Sequence, residues 1–418
     1  MTITTMKTPL HYLVAARQSE IAELEQIGRA SVLVGSMSRL VHMLQKERGL
    51  SNLFLASGGS SAAQELLEHE LLVDSAMVDV CLALEVFGER LPGVHGARLF
   101  NAIAYALQGF AALPGLRRRR AALQIATEDC TQGFIRLVAA CLTVVFEAAD
   151  SACDPDIARK LVALFHFMQG KELAGQERAT GAAVFASGAG TQHRQRHWLH
   201  LIESQERCFQ VFEDFASEAG AARWRQLCGV CADMAVIERL RRLGCTAAGL
   251  DSKLSEPWFA ACSSRLDAMH QIEAWLVQEL QAQCLHQLDL ARAALARQQG
   301  MAAEAEPGAE LFFSAPGGER AAEAGYGVQL ERSILSLVQE QAQRLQQMQT
   351  EIDQARATLK ERKTIERAKG VLMHYRRLGE SEAYKLLRQT AMNQNRRMLD
   401  VAEAILATAE LLPEGGQA

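Results

Sequence analysis

An arginine set on an otherwise apolar helical stripe has to find an anion or reach water. Two such arginines occur in this 418-residue chain. Leu40, Leu44, Arg48, Ser51 and Leu55 fall on one face at helical spacing, and Phe167, Ala174, Arg178, Gly181 and Phe185 do the same. An unpaired buried charge is very costly, so each guanidinium must snorkel outward or meet a negative group. The adjacent Glu47 and Glu177 could be those partners, within the protein. The alternative is a dissociable small anion. A guanidinium keeps its charge and offers planar, paired donors that suit a carboxylate or a small oxyanion. Small residues from Ala179 to Ala183 would leave room for such a ligand.

The two arginines belong to a repeat. Gln45–Gly58 reads QKERGLSNLFLASG and Gly175–Gly188 reads GQERATGAAVFASG, at an offset of about 130 residues. The Glu-Arg pair and the final Ala-Ser-Gly coincide. Two similar helices ending near those glycines imply two related helical bundles packed together.

The chain around them reads as all-α. Eight prolines leave long Pro-free spans rich in Ala, Leu, Gln, Glu and Arg, which are good helix formers. Alternating strand patterns are almost absent. Residues 301–327 hold two prolines and five glycines and read as a linker. A heptad register follows over 328–360, with Val338, Leu345, Ile352 and Leu359 at one core position and Ile334, Gln341, Met348 and Ala355 at the other. It predicts a coiled-coil helix and a homodimer. The remainder breaks into three helical pieces, a C-terminal three-helix bundle.

Charge is uneven. The net charge is −5, yet residues 356–397 carry +8 against −13 for all other residues. A basic module on an acidic body suggests a polyanion-binding end. Ten cysteines without paired spacing favour a reducing compartment. With no signal peptide and no apolar run near the ~20 residues of a membrane span, the expectation is a cytoplasmic protein. No P-loop, G-x-G-x-x-G or G-x-S-x-G motif is present, which argues against an enzyme. His193, His197 and His200 share a helical face, and Cys228 and Cys231 form a C-x-x-C. A helical context without a second pair makes a metal site the weaker reading, and none is expected. The run Arg117–Arg120 reads as a solvated helix start.

Particular motifs carry a resemblance. KERGLSNLFLASGG and GQERATGAAVFASG, followed by LIESQERCFQVFEDFAS, IERLRRLG and EPWFAACSSRLDAM, resemble the nitrate- and nitrite-sensing (NIT) family over about residues 30–290. The stretches IERAKGVLM, EAYKLLRQTAM and MLDVAEAI resemble the ANTAR family of RNA-binding antitermination modules over about 355–412. The resemblance implies a nitrate-responsive antiterminator: nitrate or nitrite, as effector and with no cofactor, binds the body, and the tail then binds paired stem-loops in a leader RNA and disfavours a terminator. It implies RNA rather than DNA, and no membrane. Arg48 and Arg178 match the family's motifs, and a third basic residue is expected in IERLRRLG, at Arg239 or else Arg241. In the tail, Arg362, Lys369, Arg376, Arg388, Arg396 and Arg397 would attract phosphate, and Tyr384 is an aromatic candidate for stacking, unless it is core. Other readings are an ANTAR regulator controlled by phosphorylation or a partner, and a helical scaffold without a ligand.

Overall fold

The computed structural model describes residues 9–60, 62–88, 96–149, 154–188, 191–230, 232–247, 249–304, 361, 364–365, 367–373, 376, 378, 380–394 and 396–410. Every regular element among them is helical, as the periodicity predicts. The heptad segment 328–360 lies outside the described residues.

Helix α1 (Pro9–Ala56) runs for 48 residues. α2 (Ala63–Gly88), α3 (Gly96–Ala121) and α4 (Thr127–Ala149) complete a first bundle around its C-terminal half. α5 (Pro155–Ala186), α6 (Gln192–Phe215), α7 (Glu218–Val230), α8 (Ala232–Thr246) and the first half of α9 (Ser255–Glu304) form a second. α9 also lies along α1, so the bundles share one apolar core from Leu24 to Ala291. A smaller core around Trp198, Trp258 and Phe185 fills the far end of the second bundle.

Local sequence sets the ends of the repeated helices. Asp154 caps α5, accepting a hydrogen bond from the Ile157 amide at 3.0 Å, and Pro155 begins the first turn. α1 stops at Ala56 and α5 at Ala186, equivalent positions in the repeat. The glycines two residues on, Gly58 and Gly188, take φ of +62° and +65°, which a residue with a Cβ adopts at a cost.

Three sequence expectations change here. Met301–Glu304 continue α9 rather than opening the linker. α3 and α4 are long and apolar enough to cross a membrane by length and composition, although no such run was expected. Both pack into the first bundle, where the apolar surface of α4 covers α1. Arg117–Arg120 close α3 instead of opening a helix, and two of the four side chains are buried.

Near the C-terminus, residues 367–373, α10 (Glu380–Asn393) and α11 (Met398–Glu410) pack around Ala368, Leu372, Ala383, Leu387, Val401 and Ala402. This small core is the three-piece bundle the sequence predicts.

Candidate functional site: two arginines at the seam of the bundles

α1 and α5 meet where the repeat places its arginines. Each guanidinium lies over a glycine of the opposite helix. An added Cβ on Gly175 would come within 2.7 Å of Nη2 of Arg48, and one on Gly49 within 2.8 Å of Nη2 of Arg178. The glycines are therefore seats for the two cations.

The arginines are satisfied differently. Arg48 is 1% exposed and bidentate with Glu172 of α5: Nη1 to Oε1 at 2.5 Å and Nη2 to Oε2 at 3.2 Å. Gln45 and Gln176 each donate to the same carboxylate at 2.9 Å. Arg178 is also buried, yet no carboxylate among the described residues pairs with it. Nη1 donates to Ser263 Oγ at 3.0 Å and Nη2 to the Gln45 carbonyl at 3.4 Å, while Nε has no partner. The guanidinium lies over the Phe259 ring, 4.8 Å from its centroid. Burial, and next the charge of Arg48, push the Arg178 pKa down to about 10. Beside it opens a cavity of about 190 Å³, lined by Arg178, Gln45, Lys46, Gly49, Phe259 and Ser263, with His42 and, paired with neither arginine, the carboxylates of Glu65 and Asp267 also on its wall. The space and the unsatisfied cation suit a small anion.

The repeated glutamates do other work. Arg117 grips Glu47 through Nε and Nη2, both at 2.8 Å, and Arg120 adds a contact at 3.3 Å. In the second bundle Arg241 grips Glu177 through Nε and Nη2, both at 2.7 Å. Trp198 and Gln205 donate to Glu177 as well, and Arg265 stands 3.9 Å away. Burial acts to raise the Glu177 pKa, but Arg241, with help from Arg265 and Trp198, holds it below the ordinary carboxylate value. Each half of the repeat thus buries one glutamate under two arginines, which leaves Arg48 and Arg178 to the seam.

The third arginine is placed otherwise than expected. Arg239 is exposed, because α8 buries Ile237, Leu240, Arg241 and Gly244 and turns Arg239 and Leu243 outward. Arg241 is buried but committed to Glu177 and Glu238. The sequence reading missed Glu172, Gln45 and Ser263, which complete the site.

In the tail, Arg376, Arg388, Arg396 and Arg397 are exposed, and Arg362 lies outside the described residues. Lys369 is buried rather than on an open basic face. Tyr384 is buried too, against α6. Arg207 lies 4.4 Å over its ring and His200 is 5.3 Å from it, centroid to centroid. Arg388 approaches Glu203 at 3.9 Å. α10 is therefore docked on the sensor bundle. Among the described residues no group of three or more His, Cys, Asp or Glu is placed to hold a metal ion, and Cys231 lies outside them.

Known proteins share this architecture. Residues 39–281 match the family described as nitrate and nitrite sensing, and residues 353–406 match the ANTAR domain. The chain belongs to the nitrate- and nitrite-sensing family and carries an ANTAR domain behind its sensor bundles. It is 35% identical over 399 residues to the nitrate regulatory protein of Klebsiella oxytoca, covering 95% of this chain and 94% of that one. The structure of the NasR transcription antiterminator is similar as well, with a TM-score of 0.60 and 33% identity over 96% of this chain and 99% of that one.

Proposed function

We propose that this protein is a nitrate- or nitrite-responsive transcription antiterminator, a regulator and not an enzyme. The observation that carries the sensing half is Arg178: a buried cation with an unsatisfied Nε, no carboxylate paired with it among the described residues, and a cavity at its side. Nitrate is planar and singly charged, and it can accept in-plane hydrogen bonds from a guanidinium while occupying little volume. Arg48 is the second member of the site. Arg239, being exposed, stands apart from the seam.

The effector half is the ANTAR bundle. Its exposed Arg376, Arg388, Arg396 and Arg397 would attract the phosphates of paired stem-loops in a leader RNA, and binding there would keep a terminator from forming. Tyr384 packs on α6 in this arrangement, so the tail must leave that seat before its ring can meet RNA. Dimerisation through residues 328–360 would bring two tails to two neighbouring loops. The setting is the cytoplasm, where the transcript forms.

Thermal unfolding with and without nitrate tests this function. A ligand at one hundred times its Kd adds ~2.7 kcal/mol to the native state. The wild type should gain that increment and Arg178→Ala should lose it while still melting cooperatively. Gel shifts of a two-stem-loop leader should then show RNA binding promoted by nitrate in the wild type alone. A nitrate increment retained in Arg178→Ala would refute the site.

A further inference from the structure

Arg48 already holds a planar oxyanion. Both Nη groups meet the two oxygens of Glu172 at 2.5 and 3.2 Å. A carboxylate and a nitrate ion present the same kind of edge to a guanidinium, two oxygens in one plane on one trigonal centre, sharing negative charge. Arg178, on the same helix as Glu172, has no such partner. Among the described residues one carboxylate, that of Glu172, is paired with either seam cation, while Asp267 acts on Arg178 only through its charge. The adjoining cavity is lined by Gln45 and Gly49, residues that flank Arg48 on α1, while Arg48 itself stays behind them on Glu172.

We propose that Glu172 is a tethered competitor for the effector: it occupies Arg48 in the ligand-free protein and gives up that guanidinium when nitrate enters between Arg48 and Arg178. The proposal rests on the nitrate-sensing reading above and deepens it. The side-chain amides explain how the carboxylate can let go. Gln45 donates to one Glu172 oxygen and Gln176 to the other, each at 2.9 Å, so two donors remain after the exchange. A buried carboxylate stripped of every partner would be too costly to form. Affinity is then a difference between two flat anions on one cation, and Glu172 sets the concentration at which the sensor responds. An ion without a flat two-oxygen edge, such as chloride, loses the paired contact and should compete less well.

Calorimetric titration of nitrate into the full-length protein tests the exchange. Glu172→Gln should bind nitrate at least tenfold tighter than the wild type, and should show a larger nitrate-induced rise in Tm from a lower starting point. Structural damage alone does not tighten binding. Gln176→Leu, at a half-buried position, removes one of the two donors that hold Glu172 after the exchange and should weaken nitrate binding severalfold while Arg48 and Arg178 stay in place; it carries the test should Glu172→Gln not fold. In a nitrate-bound crystal structure, Arg48 should contact nitrate with Glu172 withdrawn onto the amides. Equal or weaker binding in Glu172→Gln overturns the proposal, as does equal or tighter binding in Gln176→Leu or a complex in which Arg48 and Glu172 stay paired. If Arg178→Ala abolishes binding while both other variants match the wild type, sensing stands and the competitor falls. If no form binds nitrate at all, the sensing reading falls and takes the proposal with it.

Discussion

A methyl group added at Gly49 would sit 2.8 Å from the Arg178 guanidinium, the mobile end of a long side chain. Alanine in a helix interior is worth up to about 1 kcal/mol over glycine. Gly49→Ala should therefore keep or slightly raise Tm while pushing the cation off its seat, and nitrate affinity measured by calorimetry should drop about tenfold. Unchanged affinity would show that this seat is irrelevant to the ligand. The cavity wall makes a second prediction. His42 stacks on His270 at 3.7 Å with rings 3° from parallel. Burial, then Lys171, lowers the His42 pKa from 6.5 to about 2, and the same two influences lower that of His270. The unfolded chain takes up a proton on His42 below about pH 6.5 and the native fold does not, so stability falls as pH drops, by up to about 1.4 kcal/mol per unit, and His270 adds to the fall in the same direction. Urea unfolding between pH 7 and 5 should show this slope, and His42→Gln should flatten it. At this scale the sequence exposed Arg48 and Arg178, because a charge on an apolar stripe is a local pattern. It concealed Glu172, which lies 124 residues from Arg48 with nothing local linking the two.

Between helices, the repeat pays for its buried glutamates with paired arginines drawn from other elements. Glu177 ties α5 to α8 through Arg241 and to α6 through Trp198 and Gln205. Glu177→Gln leaves Arg241 and Arg265 buried without their carboxylate, and breaking such a pair costs roughly 3–5 kcal/mol. Denaturant titration should show a loss of that size, and a loss below about 1 kcal/mol would mean that water or Glu238 replaces the lost partner. The helical repeat was legible from ER and ASG alone. The arginine run was misread because counting charges ignores their period. Ala106, Phe110, Leu113, Arg117 and Arg120 recur at intervals of three and four and are all buried, the pattern that singled out Arg48. In α8 the same period, running through Ile237, Leu240 and Gly244, selects Arg241 over Arg239.

Across the molecule, the decisive contact joins the tail to the sensor. Tyr384 rests between Arg207 and His200 of α6, with Arg388 near Glu203. Arg207→Ala removes the cation over the ring and leaves the tail's own surface intact. In nitrate-free buffer it should raise leader-RNA affinity severalfold in gel shifts, and that affinity should fall steeply with added salt. No gain would mean that this contact does not restrain the tail. The tail bundle itself was readable from its three short apolar repeats. Its docking was not, because Tyr384 reads equally well as core or as a stacking platform until the surface beneath it is known.

That contact has a thermodynamic corollary. If seating α10 on α6 opposes nitrate at the seam, a transcript that captures the tail must strengthen the hold on nitrate by the same factor that nitrate strengthens the hold on the transcript. The ion and the RNA are then mutual agonists, and a molecule already engaged on a nascent leader would keep its nitrate through a fall in concentration that empties its idle neighbours.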